Sequence, residues 1–136
     1  MTASQCYCGQ VRLQFSAEPG SVIHCHCGQC RRLSGSAFTT WVSFPKAAMV
    51  LAGEPAAFQA TAHVLRHFCG RCGSHVYTLD GRMPDIVGVP AGAIEGELLA
   101  APKAHYFVHH GAAWHAIGDR LRQFGGETGL EPVPPA

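Results

Sequence analysis

The sequence has no concentration of charge and no long apolar segment. Its formal net charge is +1, ten Lys and Arg residues stand against nine Asp and Glu residues, and the densest basic point is the pair Arg31-Arg32. Nucleic-acid binding needs a basic patch or stripe, so no nucleic-acid partner is expected. The nearest thing to an apolar run, AAMVLA at 47–52, is far shorter than the roughly 20 residues that cross a bilayer, so no membrane partner is expected either.

The first residues, MTASQCYCGQ, lack both the basic start and the apolar core of a secretory signal peptide. The expected location is therefore the cytoplasm. A chain of 136 residues, 47% hydrophobic and 14% charged, suits one globular domain, which we expect over residues 4–122. The remaining segment, 123–136, reads GGETGLEPVPPA from its third residue and is predicted to be a loose tail.

Short strand patterns dominate the chain, so the predicted fold class is mainly β. VRLQFS (11–16) alternates Val11, Leu13 and Phe15 with polar residues, as a half-buried strand does. PKAAM predicts one helical turn with Pro45 at its start. Further strands are predicted, between turns that carry glycine or proline, at AFTTWVSF, AAFQAT, HVLRHF, HVYTL, DIVGV and HYFVHH.

The seven cysteines are the most informative feature of the composition, and each is separated from another cysteine by only one or two residues. Clustered cysteines in a reducing compartment indicate metal ligands or redox groups rather than a disulfide framework. Zinc binds four thiolates or imidazoles in a tetrahedron. Two distant local pairs, Cys6/Cys8 and Cys69/Cys72, can supply one closed structural site, and the adjoining glycines allow the tight turns that it needs.

Three cysteines remain, all within the stretch VIHCHCGQCRRLSG. In extended backbone, Cys25 and Cys27 share one face while His24 and His26 point to the other, and a turn at Gly-Gln returns Cys30 toward the first two thiols. Three protein ligands with one open position are typical of a zinc that meets an exogenous molecule. The cysteine pattern therefore predicts two zinc ions per chain.

Other interpretations of the set of three stay open at this point. A second structural zinc is one, with the fourth ligand supplied by His24, His26, His67 or His75. A redox dithiol formed by Cys27 and Cys30 is weaker, because the sequence predicts neither the helix start nor the βαβ unit that depresses the pKa of an attacking thiol. The remaining histidines are expected at the surface or in hydrogen bonds rather than on a metal: His105, His109, His110 and His115.

Five stretches together resemble the family of glutathione-dependent formaldehyde-activating enzymes. They are CYCGQVRLQFS, HCHCGQCRRLSGSAFTTWVSF, LAGEPAAF, FCGRCGSHVY and, more loosely, PKAHYFVHHGAAWH. The resemblance runs from about Cys6 to about Leu121, and all seven family cysteines have counterparts in the same order and grouping.

The resemblance implies more than the spacing does. It implies a β-tent fold, one structural zinc on Cys6, Cys8, Cys69 and Cys72, and a second zinc on Cys25, Cys27 and Cys30. It also implies a carbon–sulfur lyase activity that joins glutathione and formaldehyde into S-hydroxymethylglutathione.

The chemistry of such a site agrees with that activity. A glutathione thiol in the fourth position would be deprotonated at neutral pH and would keep much of its nucleophilicity. The cysteines Cys25, Cys27 and Cys30 would then act in catalysis as ligands of the open site. The alternative is a non-catalytic zinc-binding module in which both zinc ions are structural.

Overall fold

The structure of the protein is a computed structural model that describes residues 1–135, and it is mainly β, as predicted. It contains one α-helix, α1 (Gly28–Ser34), and short 3-10 turns at Lys46–Ala48, Ala91–Ala93 and Val108–His110. The strands are β1 (Thr2–Gln5), β2 (Arg12–Phe15), β3 (Val22–Cys25), β4 (Thr39–Pro45), β5 (Met49–Ala52), β6 (Ala56–Gln59), β7 (Val64–Phe68), β8 (His75–Asp80), β9 (Ile86–Pro90), β10 (Ala104–Tyr106), β11 (Arg122–Gly125) and β12 (Glu131–Pro132).

The chain forms two compact units, and the first comprises Met1–Ser21 and Val42–Ala100. It holds an antiparallel sheet in the order β1-β2-β5 and an antiparallel run in the order β9-β8-β7-β6. The alternation predicted for β2 is confirmed, because Leu13 and Phe15 are fully buried between exposed neighbours. The ring of Phe15 stacks on that of Phe44 with centroids 4.0 Å apart, which places the core of this unit beneath β2.

The second unit comprises Val22–Trp41 and the residues from Ala101 onwards. Strand β10 is parallel both to β3 and to β11, and β12 pairs antiparallel with β11. Helix α1 follows β3 after two residues and ends at Ser34, and the backbone N–H of its C-cap, Gly35, donates to the carbonyl of Arg31. Strand β4 begins in this unit at Thr39 and ends in the first unit at Pro45.

Most of the predicted strands are found within one or two residues of their expected bounds, and Pro45 does precede a helical turn. The exception is HYFVHH, where the strand ends at Tyr106. Phe107 adopts a left-handed conformation with φ 59°, and the next three residues form a 3-10 turn. The sequence gives no sign of this break because a left-handed phenylalanine is uncommon.

The segment from residue 123 contains regular structure where a loose tail is predicted. Strand β11 extends into it, and Gly125 pairs with Glu131 of β12. The ring of Phe124 stacks on that of Tyr106 with centroids 4.6 Å apart, and this burial of aromatic surface holds β11 beside β10. Glycine and proline content alone could not reveal that contact. Within residues 1–135, no helix is both long enough and apolar enough to span a membrane.

Candidate metal centres

The first candidate centre lies in the first unit and consists of four cysteines. The sulfurs of Cys6, Cys8, Cys69 and Cys72 all lie within 4.8 Å of one another. The Sγ atom of Cys8 is 3.7 Å from that of Cys6 and 3.7 Å from that of Cys69. Four sulfurs on the corners of a tetrahedron around zinc, each at about 2.3 Å, are about 3.8 Å apart. The spacing of this sulfur set therefore fits a zinc ion.

Two sharp turns bring these cysteines together. Cys6 and Cys8 follow the end of β1, and Gly9 next to them has φ 80°. The other two cysteines lie between β7 and β8, and Gly73 after them has φ 79°. The backbone N–H of Gly73 donates to the Cys69 carbonyl at 2.8 Å. Positive φ at these two positions is the reason glycine follows each pair.

Neighbouring polar groups support the sulfurs of this cluster. The backbone N–H of Val11 donates to Cys6 Sγ at 3.3 Å, and the Ser74 hydroxyl lies 3.2 Å from Cys72 Sγ. The contact with Ser74 is the largest of the effects that lower the pKa of the Cys72 thiol to about 5. A sulfur that ionises readily and is already hydrogen-bonded suits metal binding, because the thiolate is the ligand.

The second candidate centre lies in the second unit and consists of three cysteines. Cys25 ends β3, Cys27 is the N-cap of α1 and Cys30 lies in its first turn, which brings the three sulfurs within 4.8 Å of one another. Cys25 and Cys30 are 9% and 2% exposed, whereas Cys27 is only half-buried. The backbone N–H of Cys30 donates to Cys27 Sγ at 3.3 Å.

These three thiols favour one ionised sulfur among them. The pKa of Cys27 is lowered because Cys25 and Cys30 donate hydrogen bonds to its sulfur. The pKa of Cys25 is raised, first by its hydrogen bond with Cys27 and then by that with Cys30 and by burial. Three close thiols that hydrogen-bond to one another, and of which one ionises first, are expected at a thiolate metal site when no metal is bound.

The histidines considered as a fourth ligand lie elsewhere. His24 Nδ1 is 2.7 Å from the Thr40 hydroxyl, and His26 Nε2 is 2.8 Å from His105 Nδ1. In the first unit, the His67 ring stacks on Tyr77 with centroids 4.0 Å apart, and His75 begins β8. Within residues 1–135, the cluster of possible ligands around the three sulfurs contains no histidine, carboxylate or fourth cysteine.

Helix α1 corrects one step of the sequence analysis. The redox dithiol of Cys27 and Cys30 is the weaker interpretation partly because no helix start is predicted at Cys27, yet Cys27 caps α1, and its Sγ accepts a hydrogen bond from the backbone N–H of Cys30. That part of the objection does not hold. A dithiol still leaves the sulfur of Cys25, which lies in the same cluster, without a role. Three convergent thiols agree better with a metal site than with a redox pair.

Two contacts of this unit are not indicated by any pattern in the sequence. The indole N–H of Trp41 donates to Cys30 Sγ at 3.4 Å.

His105 is hydrogen-bonded, one of the two situations expected of it, but it is 2% exposed and its partners are His26 and Asp119. Burial and then the neighbouring imidazoles of His105 and His115 lower the pKa of His26 to about 4. The sequence around Asp119 does not indicate its contact with His105, because the two residues are 14 positions apart.

Known proteins with similar sequences belong to the same family that the cysteine pattern resembles. A family profile described as glutathione-dependent formaldehyde-activating enzyme matches residues 1–110. A protein of Halomonas elongata, named "Putative glutathione-dependent formaldehyde-activating enzyme", is 30% identical over 125 residues, which cover 85% of this chain and 80% of the relative.

A crystal structure of a Rhodobacter sphaeroides protein has a similar fold. Its TM-score is 0.60 at 20% sequence identity, and the match covers 74% of this chain and 97% of that protein. The profile match indicates the same family as the cysteine pattern does, and the fold and the two cysteine clusters that could hold metal ions are consistent with it. The chain belongs to the family of glutathione-dependent formaldehyde-activating enzymes.

Proposed function

We propose that the protein is a zinc-dependent enzyme that joins glutathione, or another small thiol, to formaldehyde, as a carbon–sulfur lyase of the S-hydroxymethylglutathione synthase type. The observation that carries the proposal is the cluster of three convergent thiols, which within residues 1–135 includes no fourth protein ligand. An open position on such a set suits a soft exogenous ligand, and a thiol is one. Family membership supplies the substrate class.

In this proposal Cys25, Cys27 and Cys30 hold the reactive zinc. Bound there, zinc would keep a substrate thiol in its thiolate form at neutral pH. The half-buried Cys27 is the most accessible of the three ligands, so the substrate would approach from its side. The hydrogen bonds to Cys30 Sγ from Trp41 and to Cys27 Sγ from the Cys30 backbone fix two of the sulfurs in place before substrate arrives.

The proposed reaction balances without an oxidant or reductant. The thiol sulfur adds to the carbonyl carbon of formaldehyde, and a carbon–sulfur bond forms. The electron pair of the carbonyl double bond moves to oxygen, which takes up one proton, while the thiol gives one up. The reverse reaction breaks the carbon–sulfur bond, which is the lyase direction. The protein contributes by holding the two reactants together.

The four-cysteine cluster has a different part in the proposal. Cys6, Cys8, Cys69 and Cys72 would hold the structural zinc ion in a closed site that ties the end of β1 to the turn between β7 and β8. Seven cysteines that all serve as thiolate ligands must stay reduced, which suits the cytoplasm.

The test follows the exchange between ¹³C-formaldehyde and its glutathione adduct by NMR, because the two combine without a catalyst and the enzyme must exceed that rate. The zinc-loaded protein is expected to accelerate the exchange. Cys27→Ala is expected to keep its fold and one zinc ion, and to leave the exchange at the uncatalysed rate. Acceleration that persists undiminished in Cys27→Ala would refute the proposed site.

A second measurement separates this proposal from the non-catalytic zinc module. With cobalt in place of zinc, the thiolate-to-metal charge-transfer absorption should grow when glutathione is added, and Cys27→Ala supplies the background of the four-cysteine site. A spectrum that stays unchanged at millimolar glutathione, with two metals bound, would favour the module.

A further inference from the structure

A second group of potential ligands lies in the second unit and contains no cysteine. His24 of β3 and His105 of β10 are register partners in adjacent parallel strands, with ring centroids 4.6 Å apart. Asp119, in the segment before β11, reaches the same point, and one ligand atom from each of the three residues lies within 4.8 Å of the others. Two imidazole nitrogens and one carboxylate oxygen form a donor set that binds divalent transition metals.

This group is separate from the three-cysteine cluster. His24 and Cys25 are consecutive residues of β3, and successive side chains of a strand leave it on opposite faces. The sulfurs of Cys25, Cys27 and Cys30 form one cluster of ligand atoms, and the two imidazoles with Asp119 form another. A cation bound by the second group would therefore be additional to one held by the thiols.

Each of the three residues has a partner outside the group on one of its two possible ligand atoms. The Thr40 hydroxyl lies 2.7 Å from His24 Nδ1. The backbone N–H of Leu121 donates to Asp119 Oδ1 at 2.9 Å. Nδ1 of His105 lies 2.8 Å from Nε2 of His26. Metal-binding residues are typically oriented in this way by hydrogen bonds through their second atom.

His105 and Asp119 are already hydrogen-bonded to each other. His105 Nε2 lies 2.9 Å from Asp119 Oδ2, so the imidazole N–H donates to the carboxylate. A cation would take the place of that proton between the same two atoms. The bound form then requires the other tautomer of His105, in which Nδ1–H donates to His26 Nε2, and His26 must in turn carry its own proton on Nδ1 instead of Nε2. The proposed site therefore predicts a change of tautomer at a residue that is 2% exposed.

An ion could reach His24, His105 and Asp119 from solvent on the side of Asp119. The His105 side chain is 2% exposed, whereas that of Asp119 is 44% exposed. The carboxylate is therefore reachable from solvent, and water could complete the coordination of an ion bound there. Imidazole nitrogens favour zinc, nickel and cobalt over magnesium and calcium, which prefer oxygen ligands.

We propose that His24, His105 and Asp119 form a binding site for a divalent transition-metal ion, distinct from both cysteine clusters. The site takes zinc, or cobalt and nickel as substitutes, through two imidazole nitrogens and one carboxylate oxygen. It binds more weakly than the thiolate clusters, so it fills last.

The test begins with protein whose cysteine clusters are saturated with zinc, to which Co²⁺ is added. One further equivalent should bind, with the d–d absorption of nitrogen and oxygen ligands and without thiolate charge-transfer absorption. Asp119→Asn should weaken this binding at least 10-fold, Asp119→Glu should restore most of it, and Asp85→Asn, which alters an exposed carboxylate of the first unit, should leave it unchanged. Nitrogen NMR of His105 should report the change of tautomer with Zn²⁺ but not with Mg²⁺.

Three results would overturn the proposal. One is the failure of cobalt to bind once the cysteine clusters are full. Another is cobalt that appears only with thiolate charge-transfer absorption, which shows replacement of zinc at the cysteines. The third is equal affinity in the protein and in Asp119→Asn, which places the ion elsewhere. Because Asp119 is exposed, its substitution should leave the fold intact, and circular dichroism checks this directly.

Discussion

Trp41 donates its indole N–H to the sulfur of Cys30, with 3.4 Å between Nε1 and Sγ. Trp41 lies in β4 and Cys30 in α1, so the bond ties the helix that contains Cys30, and that Cys27 caps, to the neighbouring strand. A hydrogen bond to a thiolate stabilises its charge and fixes its direction. Trp41 therefore acts on the three-cysteine cluster as a positioning residue.

Trp41→Phe should weaken zinc binding at the three-cysteine cluster by roughly 10- to 100-fold, because it removes this hydrogen bond and keeps an aromatic side chain. The four-cysteine cluster should keep its affinity. Competition with a chromophoric chelator measures both. The matched control is Trp114→Phe, since Trp114 is the other tryptophan of the chain and is 73% exposed. Equal losses in the two variants would contradict the assigned role of Trp41.

Removal of metal should proceed in two stages. Protein purified with two zinc ions should lose one to a mild chelator and keep the other, because three protein ligands leave a metal open to competing ligands while four enclose it. Elemental analysis before and after chelation gives the count. Retention of a single, resistant zinc ion from the outset would argue against two sites.

Substitution of the cysteines should give two phenotypes. Cys69→Ala and Cys8→Ala should lower the melting temperature or the yield of folded protein, because a structural zinc contributes directly to the free energy of unfolding. Cys27→Ala should melt close to the unmodified protein and hold one zinc ion fewer. Thermal melts with metal counts on all seven variants test this. The division fails if Cys27→Ala unfolds as readily as Cys69→Ala.

The fold could be predicted where local pattern decides it. Strand β2 follows from its alternation, and the turn after Pro45 follows from the proline. The sequence does not predict helix α1, because its seven residues, GQCRRLS, contain only Cys30 as a buried position and so form no apolar stripe. Strand β11 depends on the stack of Phe124 on Tyr106, a contact between distant residues that no local window contains.

The candidate sites show the same division between local and distant information. The two cysteine clusters could be grouped from the sequence because short gaps between cysteines are themselves a signal. Trp41 and Asp119 carry no such mark, since each reaches its partner only through the fold. His105 pairs with His24 because β10 lies parallel to β3, and that pairing of distant strands could not be read from either segment alone.

Gly73→Ala should reduce stability through the backbone alone. Gly73 has φ 79°, and a Cβ atom there would meet nothing within 4 Å, so the cost is that of a left-handed alanine, roughly 1–2 kcal/mol. Urea unfolding of the zinc-loaded protein measures it. Gly92→Ala is the matched control in the same unit, because it too has open space and its φ is not positive, so its effect should stay within about 0.5 kcal/mol. Asn tolerates positive φ, so Gly73→Asn should fall between the two. An effect of Gly73→Ala no larger than that of Gly92→Ala would mean that the turn after Cys72 relaxes without strain.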